Sequence, residues 1–151
     1  MRLLNQVLDD AAAPLSSIGA FGADVGPGSF TGVRVGVTLA KVLALSQRRS
    51  CLAFTSFDLI TRDEACGVPA RKGQALVREP GRVPRLTQDL SEVKVGYGPF
   101  LGEHAQRYPH ASRAQVPNAA RVAPEVLVPL YLTEPGISTP RVPYGLRGQA
   151  Q

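Results

Sequence analysis

An α/β fold is what this sequence predicts, and three features carry that expectation. An apolar run, Ile18 to Val25, leads into a glycine-rich turn. The turn opens onto a strongly apolar helical stretch from about Gly32 to Gln47, and a second apolar run, Ser50 to Phe54, follows at once. Strand, tight turn, helix and strand in that order are the signature of alternating layers. With 151 residues, 44% of them hydrophobic, the chain can bury a sizeable core, and one soluble domain is expected.

The opening residues come first. Leu3, Leu4, Val7 and Leu8 fall at helical spacing, so a short helix is predicted until Pro14 and the Ser16-Ser17 pair interrupt it. No charged start, long apolar segment and small-residue cleavage site stand there, and no apolar run reaches the roughly eighteen residues of a membrane span. A cytoplasmic protein without membrane contact is expected. Ser29 or Thr31 can cap the central helix, and Thr55 or Ser56 a short one from Ser56 to Arg62. "GQALVRE" and "EVKVGYG" read as strands, and "PGRVPRLTQ" between them as a loop. Residues 98 to 116 are polar and irregular. "NAARVAPEVLVPL" can hold at most two short helical pieces, since Pro124 and Pro129 break it, and beyond Pro135 a mobile tail is expected. There is no internal repeat.

Cys51 and Cys66, without a secretory signal, are expected to stay reduced, and no set of Cys and His completes a zinc pattern. The net charge of +5 comes from 17 basic and 12 acidic residues. It is compatible with RNA nearby, although the arginines are scattered and no aromatic side chains interleave with them as stacking on single-stranded RNA requires.

The glycine-rich turn admits two readings. Gly26, Gly28, Ser29, Thr31 and Arg34 could present backbone and side-chain donors to an anion at the helix N-terminus. Alternatively the glycines only make a tight strand-to-helix turn. A Walker loop needs Lys and Ser or Thr after its last glycine, where Val33-Arg34 follow Gly32 here, and the dinucleotide fingerprint and the nucleophile elbow also fail. No histidine close in sequence could serve Ser29 as a base.

The helix is more informative. Gly32, Gly36, Ala40 and Ala44 recur every four residues and line up on one face, where another backbone can approach closely. Val33, Val35, Val37, Leu39, Val42, Leu43 and Leu45 cover most other directions, leaving a polar stripe of Arg34, Thr38 and Lys41. Such a helix wants burial on two sides. Its second cover is either later residues of the chain or a partner.

"GPGSFTGVRVGVTLAKVLALS" resembles the signature of the bacterial TsaB family, carried by Gly26, Pro27, Gly28, Ser29, Phe30, Thr31, Gly32, Arg34, Gly36, Ala40 and Lys41. Looser similarity continues in "FTSFDLIT", "ARKG", "GYGPF" and "PLYL". The resemblance implies an actin-like, sugar-kinase-like fold of the ribonuclease-H type in two related halves: residues 1–66, then a smaller unit at 67–134, then the tail at 135–151. It implies a non-catalytic subunit in the synthesis of threonylcarbamoyladenosine on transfer RNA, with no cofactor of its own. The implied partners are a TsaD-like catalytic subunit or a second copy, with a TsaE-like ATPase further out, and tRNA reached only through the complex. Gly32, Val33, Gly36, Val37, Ala40, Leu43 and Ala44 are then the expected interface.

Two departures from the wider superfamily bear on activity. Its catalytic members carry a His-x-x-x-His metal pair where this chain has Thr55 to Leu59, and His104 and His110 lie six apart in a polar stretch. No catalytic or metal residue is therefore expected, against the alternatives of a glycoprotease-like hydrolase or a small RNA-binding module. The family also opens with a strand carrying an Asp-Thr-Ser turn, and this sequence starts on the helix beyond it, so the first half reads as incomplete.

Overall fold

The computed structural model describes residues 2–70, 73–91, 93–97 and 116–132. The order is α1 (Arg2–Asp10), β1 (Ala20–Asp24), α2 (Phe30–Gln47), β2 (Ser50–Phe54), α3 (Ser56–Ile60), β3 (Cys66–Pro69), β4 (Ala75–Arg78), β5 (Arg85–Thr87), β6 (Val95–Gly96) and β7 (Ala120–Val122), with short 3-10 turns at Leu15–Ser17, Val116–Asn118 and Pro124–Val126. His104, His110, the tail from 135 and most of "GYGPF" lie outside the described residues.

Strands β1 and β2 are parallel, paired from Ala20 with Ser50 to Asp24 with Phe54, and α2 is the crossover between them. β7 runs antiparallel on the far side of β2, Cys51 opposite Val122, giving the order β1-β2-β7. The alternation in β1 sends Phe21 and Ala23 to one face, where α2 lays Val37, Ala40 and Ala44 against them, with Val25, Cys51 and Leu127 closing the cluster. On the other face Leu52, Phe54 and Leu59 pack together. Gly22 lies under the Phe54 ring. A Cβ there would stand 2.7 Å from Cε2, so no larger residue fits without moving the ring.

The second sheet has the order β5-β4-β3-β6, with β3–β4 and β4–β5 antiparallel and β3–β6 parallel. Phe57 and Ile60 of α3 pack on Cys66, Val68, Leu76 and Val95. Thr55 caps α3, accepting from the Asp58 backbone N–H at 3.1 Å and donating to Asp58 Oδ2 at 2.6 Å. Arg78 ties that helix to β4: its guanidinium donates to Asp58 Oδ1 at 3.0 Å and to the Thr61 carbonyl, and lies 5.7 Å from the Phe57 ring centre. Cys51 and Cys66 form no disulfide and are buried in different clusters, and burial pushes the Cys51 thiol up.

Several expectations need correction. The loop expected at "PGRVPRLTQ" contains β5, and β3 and β7 carry no strand signal in sequence. Each of these three strands has at most four residues, two of them with a flanking or terminal proline, and their ladders come from edges that β4 and β2 already offer. α2 starts two residues before Gly32, and α3 stops at Ile60, short of Arg62. "NAARVAPEVLVPL", expected to hold at most two short helical pieces, contains β7 and the 3-10 turn Pro124–Val126.

Packing of α2 on β1 and β2 gives opposite expectations for two small residues one helix face apart. Ala44 is 0% exposed, so Ala44→Leu should overpack the seam and cost about 1–3 kcal/mol. A Cβ added at Gly36 would meet no neighbouring element within 4 Å, so Gly36→Ala should raise stability by about 0.5–1 kcal/mol through helix propensity alone. Urea unfolding of the two variants reads both signs.

Candidate functional site

The site is α2 and the turn that launches it. At the carboxyl end of β1, Asp24 Oδ1 accepts from the Gly26 backbone N–H at 2.7 Å, turning the chain out of the sheet. Gly26 has φ +109°, and a Cβ there would meet the Leu130 carbonyl oxygen at 2.9 Å, so only glycine suits both the conformation and the space. The Gly26–Pro27 bond is cis. Ser56, at the start of α3 and 0% exposed, holds the turn from below. Its backbone N–H donates to the Gly26 carbonyl at 2.9 Å, and its hydroxyl lies 2.6 Å from Asp24 Oδ2 and 2.7 Å from the Pro27 carbonyl. Tyr97, just beyond β6, hydrogen-bonds Ser56, and its phenol is pushed up by burial and by the charge of Asp24, with the Ser56 bond opposing. One serine thus joins the ends of β1, β6 and the Gly26–Pro27 turn.

Ser29 caps α2, its hydroxyl accepting from the Gly32 N–H at 3.3 Å, and Arg48 closes the helix in the left-handed conformation. Of the anion contacts expected at the turn, Gly26 is corrected: its N–H is held by the Asp24 carboxylate and faces no solvent anion. The Gly32 N–H is taken by the Ser29 cap. Gly28 lies close to the Tyr97 hydroxyl, Thr31 is exposed, and the Arg34 guanidinium lies over the Phe30 ring at 5.2 Å.

The expected interface residues divide in two. Val37, Ala40 and Ala44 are buried in the chain's own core, and Val33 and Leu43 pack against that core, so these five are corrected: they meet the sheet, and the close approach that small side chains permit is made by β1 and β2. Gly32 and Gly36 lie off that seam and remain accessible. The apolar surface that α2 does present is Val35 at 62% exposure, Leu39 at 50% and Val42 at 56%, with Leu45 beside them. At about 100° per residue this stripe lies almost opposite the buried one. Thr31, Arg34, Val35, Thr38, Leu39 and Val42 line an open groove of about 530 Å³. The signal for this stripe is present in the sequence as all-round apolarity, but periodicity does not say which side the sheet takes.

Residues 1–68 match the family model of TsaD, the tRNA N6-adenosine threonylcarbamoyltransferase. Among solved structures, an uncharacterized protein with similarity to peptidase YeaZ, from Pseudomonas aeruginosa, superposes with a TM-score of 0.68 at 21% identity, covering 86% of this chain and 81% of that one. YeaZ from Pseudomonas aeruginosa superposes with a TM-score of 0.63, again at 21% identity, over 86% of this chain and 82% of that one. The chain has the YeaZ fold. The actin-like α/β class expected from the sequence is therefore the one observed. No curated protein matches the sequence. Among the described residues of this YeaZ-like chain, no helix is long and apolar enough to cross a membrane.

Two outcomes follow from the clamp under the turn. Ser56→Ala removes the one hydroxyl proton that the Pro27 carbonyl and Asp24 Oδ2 share, and should cost about 1–3 kcal/mol in urea unfolding. Tyr97 titrates higher in the fold than its ordinary 10.0, so its contribution is complete below pH 10 and is lost as the pH rises through the folded value. Wild-type stability should therefore fall more steeply above pH 10 than that of Tyr97→Phe, as followed by thermal unfolding across alkaline buffers.

Proposed function

We propose that this chain is a non-catalytic subunit in threonylcarbamoyladenosine modification of tRNA, and that it docks a TsaD-like catalytic subunit through the outer face of α2. The observation that carries the reading is the apolar stripe of Val35, Leu39 and Val42, each at least half exposed on one 18-residue helix. Side chains of that size in a contiguous row lose free energy in water, at roughly 25 cal/mol per Å² of apolar surface, and a partner removes that loss. The TsaD family match over residues 1–68 includes the whole helix and supports a place in that chemistry. The role is that of a scaffold: Ser29, the one hydroxyl at the turn that invites a nucleophile reading, is engaged as a helix cap. A TsaE-like ATPase and a second copy of this chain are further candidates for the complex, and tRNA is acted on by the catalytic subunit.

The test replaces Val35 and Leu39 together by Asp, which puts two charges into the docking face without touching the core. Calorimetric titration with the TsaD-like subunit of the same organism should show affinity weakened at least about 100-fold, as central interface positions commonly do. Thermal unfolding should be unchanged. Undiminished association would remove the docking assignment. Threonylcarbamoyl transfer or peptide hydrolysis by the purified chain alone, abolished in Ser29→Ala, would remove the scaffold assignment.

A further inference from the structure

Two aromatic rings and a cation meet at the first turn of α2, one of the rings from far along the chain. The segment after Leu127 returns along that helix: Leu127 enters the core at 2% exposure, and the Leu130 N–H donates to the Val25 carbonyl at 2.6 Å. Tyr131 is thereby set on Phe30, ring centres 5.2 Å apart and planes 30° from parallel. The Arg34 guanidinium lies over the same Phe30 ring at 5.2 Å. Phe30 and Tyr131 are nonetheless 42% and 48% exposed. Aromatic contacts that served only packing would be expected to bury their rings, whereas these present stacked π surface beside a cation to solvent.

Charge extends the patch in one direction. From Val25 to Phe57 the sequence has four basic residues, Arg34, Lys41, Arg48 and Arg49, and no acidic one. Arg34 and Lys41 stand seven residues apart, about 10.5 Å along the helix and about 20° around it, while Arg48, left-handed beyond the last turn, leaves this register. Lys41 donates to the Glu125 carbonyl at 3.2 Å, which fixes its stem alongside the helix while leaving the ammonium charged. Arg49 points elsewhere, to the Ser16 carbonyl. Arg34 stands at the edge of the groove that Val35, Leu39 and Val42 line, and Lys41 lies about 100–160° around the helix from those three.

We propose that this face of the chain binds single-stranded RNA directly, an unpaired base stacking on the Tyr131–Phe30 pair and neighbouring phosphates meeting Arg34 and Lys41. The two requirements for such a surface are a π platform for bases and positive charge for the backbone, and Arg34, over the Phe30 ring, joins them. This reaches beyond the docking role and does not rest on it, because the chain would contact RNA without any other subunit.

The experiment is fluorescence anisotropy of the full chain with a fluorescein-labelled oligoribonucleotide of about twelve residues, beside the same sequence as a duplex. Wild type should bind the single strand in preference to the duplex. The slope of log affinity against log salt should be about −1.4, as two neutralised phosphates give. Tyr131→Ala should weaken binding about ten-fold while Tyr131→Phe keeps it, and Arg34→Gln should reduce the slope by about 0.7. A Val35→Ser, Leu39→Ser double variant, which adds no charge beside Arg34, should weaken the protein partner and retain the RNA, which separates failure of one assignment from failure of the other. No binding by wild type, equal affinity for duplex, or an unchanged Tyr131→Ala each overturns the proposal. Both Tyr131 and Arg34 lie at the surface, and thermal unfolding checks that their variants remain folded.

Discussion

The Asp24 carboxylate is the constraint on which the functional helix depends. One of its oxygens takes the Gly26 N–H and the other the Ser56 hydroxyl, so the chain leaves β1 in a single direction and α3 is fastened beneath the exit. Because Ser56 also reaches the Pro27 carbonyl and Tyr97, the end of the first sheet and the end of the second meet at one buried hydroxyl. A buried polar network is costly unless its members are partnered, and here each bond constrains a backbone segment as well as satisfying a group. The direction of α2 is the product.

Given that direction, the sheet takes the side of α2 that carries Val37, Ala40 and Ala44. The small side chains let β1 and β2 come close, and Leu127 seals the seam from the later part of the chain. Everything else on the helix is consequently turned outward. The apolar stripe of Val35, Leu39 and Val42, with Arg34 at its edge, is what remains after the core has been satisfied. The return of residues 120–131 matters as much as the helix: β7 completes the sheet, and the segment beyond it carries Tyr131 to Phe30.

Legibility varies with how local the cause is. The strand–turn–helix–strand order is readable because each element carries its own signal: apolar runs of strand length, glycines at the turn, and a serine cap with a long apolar helix after it. The three short strands are not. Val68, Leu86 and Arg121 are drawn into strands by pairing with edges formed elsewhere, and a three- or four-residue run holds too little periodicity to announce itself. Ala40 and Ala44 read in sequence as part of a close-packing line for a partner, whereas what they meet is the chain's own sheet.

The sequence alone determined the existence of α2, a cap at Ser29 or Thr31, the turn at Gly26 and the α/β class, since each follows from residue chemistry within one or two turns of chain. It also determined that the helix would need cover on more than one side. Only the tertiary structure decided which side was covered from within, because a helix apolar in most directions has no preferred face until a sheet with its own pleat is set against it. The meeting of Tyr131 with Phe30 and of Tyr97 with Ser56 was decided at the same level. Residues so far apart in the chain have no local signal for one another, and the core between them settles where both arrive.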